Sequence, residues 1–138
     1  MDPIVNAAAK AFYTSAGRQT VPMVIRTQEG GGVGGGPTHS QCLEAWFAHV
    51  PGLKVVLPST PYDYKGLLKT AIRDPNPVVF IEHKLLYRTR GPVPSEEYCL
   101  PLGEAVIRRP GRDVTVVALA VMVSRALQAA NTLAAEGI

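Results

Sequence analysis

The sequence predicts an α/β fold with a parallel sheet between two layers of helices, a three-layer α/β/α arrangement. Three short apolar runs, residues 21–26, 53–57 and 77–81, have the length and composition of buried strands. Segments with helical periodicity separate them. Strands that alternate with helices at this spacing favour right-handed crossovers, and therefore parallel strand pairing.

Composition and charge limit the classes of protein to which this chain can belong. The chain has 138 residues, of which 46% are hydrophobic and 18% charged, as expected for a folded domain with a sizeable core. Its net charge is only +3, and the basic residues are scattered without interleaved aromatics, so we expect no nucleic-acid partner. We also expect no membrane association, because no apolar run reaches spanning length and the first residues do not resemble a signal peptide.

The first half of the chain contains two predicted helices around the first strand. Apolar residues recur at helical spacing over residues 3–16, with Pro3 in the first turn. After the strand at 21–26 comes a glycine-rich loop, and Ser40 then has the right side chain to cap a helix over residues 41–49. The second strand follows at residues 53–57.

The helix that follows the second strand has the strongest start signal. Thr60 is a favourable cap, Pro61 suits the first helical position, and Asp63 stands three residues after the cap. The helix must end at residues 74–77, which contain two prolines. Its predicted buried face consists of Tyr64, Leu67, Leu68, Ala71 and Ile72.

Beyond the third strand, periodicity is lost over residues 85–102, which predicts a linker. Residues 104–108 and 113–119, joined by a Pro-Gly turn, are predicted as a hairpin-like strand pair. A helix follows, with its apolar face formed by Val123, Ala126, Leu127, Ala130, Leu133 and Ala134. A second α/β unit therefore begins in this region.

Six glycines occupy seven positions between Gly30 and Gly36, and His39 follows them. Such a loop can approach another molecule closely, at a high entropic cost on ordering. Three loops leave the predicted sheet at its carboxyl edge: this loop, residues 58–60 and residues 82–84. That edge is the usual ligand site of an open α/β sheet. The loop could instead hold a phosphate, but it lacks the P-loop and dinucleotide-binding patterns.

The remaining histidines and the cysteines are predicted to be structural. His49 is expected at a helix end and His83 in a loop at a subunit contact. Cys42 and Cys99 fit no metal-ligand spacing and are expected to be semi-buried reduced thiols, in a cytosolic or matrix-like compartment.

Five motifs follow one another along the chain: His39-Ser40-Gln41-Cys42, Pro51-Gly52-Leu53-Lys54-Val55-Val56, Pro58-Ser59-Thr60-Pro61, Ile72-Arg73-Asp74-Pro75-Asn76-Pro77 and Glu82-His83-Lys84-Leu85-Leu86-Tyr87. This ordered set resembles the β subunits of thiamine-diphosphate-dependent 2-oxo acid dehydrogenases, of the pyruvate and acetoin dehydrogenase type. The resemblance covers nearly the whole chain.

The resemblance implies a transketolase-like organisation: a partial pyrimidine-binding domain at residues 1–91, a linker at 92–102 and the start of the C-terminal domain at 103–138. It also implies that the chain is a fragment, since no position matches the family's upstream glutamate that activates the cofactor. The implied cofactor is thiamine diphosphate with Mg²⁺, shared with an α subunit in a heterotetramer of two α and two β subunits. The implied location is the bacterial cytoplasm, or the mitochondrial or plastid matrix of a eukaryote.

The implied activity is decarboxylation or cleavage of a small 2-oxo acid or acetoin, and reductive acylation of the lipoyl group on an acyltransferase core. His39 matches the family's active-site histidine, which makes the glycine loop an active-site flap. The isolated fragment is expected to be inactive. Two alternatives to this activity remain open: a truncated non-catalytic module that only pairs with the α subunit, and a stand-alone phosphate-binding module.

The resemblance further implies a monovalent-cation site, for an ion such as K⁺, at Ala71, Ile72, Asp74 and Asn76. A helix C-terminus presents free carbonyls with negative partial charge, so a cation there is physically reasonable. The alternative is an ordinary proline-terminated helix end.

Overall fold

The computed structural model describes all 138 residues. Three strands form one sheet: β1 (Val24–Glu29), β2 (Lys54–Val56) and β3 (Val78–His83). Five α-helices, one π-helical turn and one 3₁₀ turn surround or follow them. These are a π-helical turn (Pro3–Ala8), α1 (Ala11–Thr14), α2 (Gly36–His39), α3 (Glu44–Ala48), α4 (Pro61–Arg73), a 3₁₀ turn (Lys84–Leu86) and α5 (Val121–Ala134).

The sheet is parallel throughout, with the strand order β1-β3-β2. Val78 of β3 pairs with Val24 on one side and with Lys54 on the other. All six residues of β3 are buried, which is typical of a central parallel strand covered on both faces. The prediction of a parallel α/β sheet is therefore confirmed.

Alternate side chains of β3 supply two separate cores. Val78 and Phe80 pack with Val56 and Ala71 on the α4 side. Val79 and Ile81 pack on the opposite face with Phe47 of α3. Because successive strand residues point to opposite faces, this one strand joins both helical layers, in agreement with the predicted three-layer arrangement.

Helix α4 begins as the sequence predicts. The Thr60 side-chain oxygen accepts a hydrogen bond from the Asp63 amide at 3.1 Å, and Pro61 occupies the first helical position. The predicted buried face is wrong at Ile72, which is 63% exposed. The sheet-facing stripe of the helix ends one residue earlier, at the buried Ala71.

Boundaries in the first half differ from the prediction. The helix expected over 3–16 is interrupted by a turn at Ala9 and Lys10. The first strand begins at Val24 instead of Val21 and extends through Glu29.

The helix expected over residues 41–49 is only α3, and Leu43 rather than Ser40 stands at its cap. The Ser40 hydroxyl instead accepts a hydrogen bond from the Gly35 amide at 2.8 Å. The Ser40 hydroxyl therefore closes the glycine-rich loop and does not cap the helix.

The predicted strand pair at 104–108 and 113–119 is wrong: this segment contains no strand. Its apolar side chains are exposed, including Ile107 at 81% and Val117 at 89%. A two-stranded ribbon is marginal without a third strand or a covering helix, and no strand of the sheet pairs with this segment. Its clearest attachment is the ion pair between Arg108 and Asp63, at 2.7 Å.

The predicted C-terminal helix is confirmed as α5, with a half-buried face that includes Val123, Ala126, Leu127 and Ala130. Leu133 and Ala134, also expected on this face, are exposed. None of the helices is both long enough and apolar enough to cross a bilayer.

The cap of α4 gives a stability test. Replacing Thr60 with Ala removes the oxygen that accepts from the Asp63 amide, so we expect the free energy of unfolding to fall by about 1 kcal/mol. Urea denaturation followed by circular dichroism measures the change. Thr60→Ser, which keeps the hydroxyl, is the control and should lose much less. Equal losses in the two variants would show that the methyl group of Thr60, rather than its capping bond, is responsible.

Candidate active site

A cavity of about 270 Å³ opens at the carboxyl edge of the sheet, between the segments that follow β2 and β3. Residues 58–61 line it on one side, and Glu82, His83 and Tyr87 on the other. Two of the three predicted edge loops therefore meet here. This is the position at which α/β sheets usually bind ligands.

Glu82 is the charged group in the wall of this cavity. Its carboxylate accepts hydrogen bonds from Arg26 Nε at 2.6 Å, from the Tyr64 hydroxyl at 3.0 Å and from the Tyr87 hydroxyl at 3.2 Å. Arg26 reaches it because Arg26 pairs with Phe80 in the sheet, two residues before Glu82 on the same face.

The three donors keep Glu82 ionised. Burial alone would raise the pKa of its carboxyl, but the bonds from Arg26 and Tyr64 outweigh burial and lower it below its usual value. Burial, followed by the hydrogen bond to Glu82, raises the pKa of Tyr64.

His39 is the last residue of α2 and is exposed. Its main-chain carbonyl accepts a hydrogen bond from Lys84 Nζ at 2.7 Å. The same carbonyl packs against Gly30, where any added Cβ would collide with it. The backbone of His39 is therefore attached to the carboxyl end of β3, while its imidazole is not among the groups that line the cavity.

The glycine-rich loop is closed at its base. The Gly30 amide donates to the Gln41 carbonyl at 3.2 Å, and the Val33 amide donates to the Gly30 carbonyl at 3.0 Å. Together with the bond from Gly35 to Ser40, these contacts fold the loop back on itself beside the sheet edge.

A second group of polar residues lies behind the loop, and the sequence analysis did not find it. Donor atoms of Glu29, Cys42 and His83 all lie within 4.8 Å of one another. Burial, followed by the charge of Glu44, raises the pKa of Glu29 to about 7. No sequence signal marked this group, since the predicted first strand ended at residue 26 and positions 29, 42 and 83 form no recognisable motif.

Two predictions about this region are wrong. His83 is not a loop residue: it is the last residue of β3 and is only 4% exposed. Cys42 and Cys99 are both exposed rather than semi-buried, and both are free thiols.

The residues of the predicted cation site lie at the end of α4, at the opposite edge of the sheet from His39. The Asp74 amide donates to the Ala71 carbonyl at 3.3 Å, and the Asn76 amide donates to Asp74 Oδ1 at 2.9 Å. The other oxygen of Asp74 pairs with Lys54. Burial acts to raise the pKa of Asp74, but the bonds from Lys54 and Asn76 lower it overall.

Comparison with known proteins identifies the fold. Residues 1–90 match the family described as "Transketolase, pyrimidine binding domain". The chain belongs to this family. Residues 103–138 of this family member match "Transketolase, C-terminal domain".

Curated relatives of this chain include β subunits of dehydrogenases and of an oxidoreductase. It is 53% identical to "Pyruvate dehydrogenase E1 component subunit beta-1, mitochondrial" of Oryza sativa subsp. japonica, over 100% of this chain and 38% of the relative. It is 55% identical to "Acetoin:2,6-dichlorophenolindophenol oxidoreductase subunit beta" of Cupriavidus necator, over 99% of this chain and 40% of the relative. The "2-oxoisovalerate dehydrogenase subunit beta" of Bacillus subtilis is 50% identical, over 100% of this chain and 42% of the relative.

Among solved structures, the chain matches "Split gene transketolase, inactive beta4 tetramer" with a TM-score of 0.76 and 25% identity. The match covers 99% of this chain and 41% of that one. The chain thus spans about two fifths of the length of the proteins it matches.

The Glu82 network gives a pH-dependent prediction. Because the folded state lowers the pKa of Glu82, the ionised carboxylate stabilises the fold above its unfolded pKa, and this contribution is lost as pH falls through the folded value. Glu82→Gln should therefore lower the free energy of unfolding by about 1–3 kcal/mol at pH 7, with a smaller deficit in acid. Denaturant titrations from pH 3 to pH 7 measure both effects. A deficit of constant size over that range would contradict the assignment of the stabilisation to the ionised form.

Proposed function

We propose that this chain is the β-subunit portion of a thiamine-diphosphate-dependent dehydrogenase that acts on a pyruvate-like 2-oxo acid or on acetoin. The whole enzyme would decarboxylate or cleave its substrate and reductively acylate the lipoyl group of an acyltransferase core. The observation that carries the proposal is the match of the whole chain to β subunits of such enzymes, at about 50% identity. The attachment of His39 at the carboxyl edge of the sheet supports it.

We assign residues 1–91 to the pyrimidine-binding domain, 92–102 to a linker and 103–138 to the start of the C-terminal domain. The two family matches, which end at residue 90 and begin at residue 103, support this division. So does the segment between them, which has no helix or strand.

His39 is the proposed catalytic residue. An imidazole can orient the carboxylate of a 2-oxo acid or transfer a proton near neutral pH. The side chain is exposed, so a substrate or a lipoyl arm can reach it. Contacts with Lys84 and Gly30 hold its main chain, which fixes the position from which the side chain extends.

The residues of this chain alone do not form a site that fits thiamine diphosphate. The Glu82 carboxylate in the cavity wall already accepts three hydrogen bonds from the chain's own donors. The cavity of about 270 Å³ is also slightly smaller than most small-molecule sites. We propose that an α subunit, in a heterotetramer of two α and two β subunits, supplies the diphosphate and Mg²⁺ contacts.

The proposed cation site at Ala71, Ile72, Asp74 and Asn76 would have to accommodate the ammonium group of Lys54, which already neutralises Asp74. A monovalent ion such as K⁺ would use main-chain carbonyls of the helix end, which carry negative partial charge. For location, we propose the bacterial cytoplasm or an organelle matrix, since the relatives include mitochondrial and bacterial proteins.

The second candidate function is a non-catalytic module that only pairs with an α subunit. The lack, in this chain alone, of a site that fits thiamine diphosphate favours this candidate. The two candidates differ in cofactor binding and turnover, and both predict association with an α subunit.

The test is co-expression with a cognate α subunit, once with this chain and once with a version extended upstream by a relative's segment. We expect the extended form to bind thiamine diphosphate and to oxidise a 2-oxo acid with an artificial dye. His39→Ala in that form should reduce lipoyl acylation by at least about 10²-fold. His49→Ala, a change of an exposed histidine at the end of α3, is the matched control and should leave the rate unchanged.

Pairing without cofactor binding in either form would favour the non-catalytic module. Failure of both forms to pair and to bind cofactor would overturn the enzymatic proposal.

A further inference from the structure

We propose that Glu29, Cys42 and His83 form a binding site for a zinc-class divalent metal ion, with Glu44 beside them as an additional carboxylate. One thiol sulfur, one imidazole nitrogen and one carboxylate oxygen, all within 4.8 Å of one another, converge at one point behind the glycine-rich loop. Ligands bound at 2.0–2.3 Å in a tetrahedral site lie about 3.3–3.8 Å apart. The donors therefore need to close by about 1 Å to hold the ion.

The fold brings these residues together by strand register and loop closure. Glu29 and His83 are the last residues of β1 and β3, and they are direct partners in the parallel pair. Cys42 returns to the same place because the loop closes between the Gly30 amide and the Gln41 carbonyl. The site therefore combines two strand ends with the residue that follows the loop.

Unsatisfied charge is the independent observation that points to a ligand. Glu29 is only 3% exposed, and its Oε2 atom is buried without a hydrogen-bond partner. Oε2 of Glu44, which faces Glu29, is also buried without a partner. Two carboxylates that face each other with buried oxygen atoms need a positive charge between them, either a proton or a metal ion.

The other donors favour the metal ion. A proton would need only the two carboxyl groups, whereas here one ligand atom each of Cys42 and His83 also lies within 4.8 Å of the Glu29 carboxylate. A Cβ built on Gly31 would lie 2.9 Å from Cys42 Sγ and 3.9 Å from His83 Nε2, so the backbone of Gly31 lies close to both side chains and any side chain there would collide with the thiol. Thiolate, imidazole and carboxylate are the ligands that zinc prefers in proteins.

The surrounding groups define what binding requires. His83 Nδ1 accepts a hydrogen bond from the Leu85 amide at 3.2 Å, so Nε2 carries the ring proton in the metal-free state. For the ion to bind at Nε2, this proton must leave Nε2. Nδ1 must be protonated instead, which breaks the hydrogen bond from the Leu85 amide. Arg125 of α5 also faces His83 and is the positive charge that opposes the ion. The negative charges of Glu29, Glu44 and the Cys42 thiolate outnumber the single positive charge of Arg125.

The site would tie the end of the loop to the sheet. His39 is three residues before Cys42, so a metal at this point restrains the loop that carries the proposed catalytic residue. The site itself does not depend on the proposed activity, and its test uses only the 138-residue chain.

The experiment is titration of the full chain, freed of metal with a chelator, with Co²⁺ and then with Zn²⁺. We expect one Co²⁺ per chain, with the absorption of a tetrahedral complex and a thiolate-to-cobalt charge-transfer band. Zn²⁺ should displace the cobalt. Cys42→Ser should abolish the charge-transfer band, and Glu29→Gln, which keeps the shape of the side chain, should weaken binding at least tenfold.

Cys99→Ser is the matched control, because Cys99 is also a free, exposed thiol but lies beside Arg73. It should leave the cobalt spectrum unchanged, and circular dichroism of each variant verifies the fold. A spectrum without the thiolate band, or one that is lost in Cys99→Ser and kept in Cys42→Ser, would overturn the proposal. Binding of no metal, together with an infrared band of a protonated carboxyl that disappears in Glu29→Gln, would show that a shared proton occupies the site instead.

Discussion

The position of almost every element in the first ninety residues depends on the burial of one strand. β3 pairs with β1 on one side and β2 on the other, and both of its faces are covered. Val78, Val79 and Phe80 are fully buried, and they join the core beneath α4 to the core beneath α3. Burial of apolar area of this kind is the dominant favourable term in folding, so the two helical layers are stable only together with this strand.

The functional region follows from how that strand ends. β3 changes from apolar residues to Glu82 and His83 while it is still buried, so both polar side chains need partners inside the protein. The acidic groups at this edge of the sheet differ in how many hydrogen-bond partners they have. Glu82 receives three hydrogen bonds, one of them from the guanidinium of Arg26, which satisfies its charge. On the other side of the edge, Glu29 and Glu44 keep buried oxygen atoms without partners. At this edge the charge of Glu82 is therefore compensated on one face of the sheet, whereas the buried oxygen atoms of Glu29 and Glu44 on the other face are not.

The C-terminal third is held differently from the first two thirds. Val114, Val116 and Val117 are exposed, and the segment that contains them has no strand partner. Arg108 binds both oxygen atoms of Asp63 near the start of α4, at 2.7 and 2.8 Å. A partly exposed ion pair contributes little to stability compared with a packed core. The ion pair therefore determines the position of this segment but contributes little to its stability.

The sequence by itself determined the local structure wherever the signal was local. Thr60, Pro61 and the two prolines after Asp74 set the limits of α4, and the apolar run at β3 identified a strand buried on both faces. The order of strand, glycine-rich loop and helix predicted that His39 lies at the carboxyl edge of the sheet, where its carbonyl accepts a hydrogen bond from Lys84. Tertiary structure decided what depended on distant partners. Ser40 closes the loop instead of capping α3, residues 104–119 form no strand because nothing pairs with them, and Ile72 faces solvent. The cluster of Glu29, Cys42 and His83 exists only because parallel register and loop closure bring together residues up to fifty-four positions apart, which no spacing rule detects.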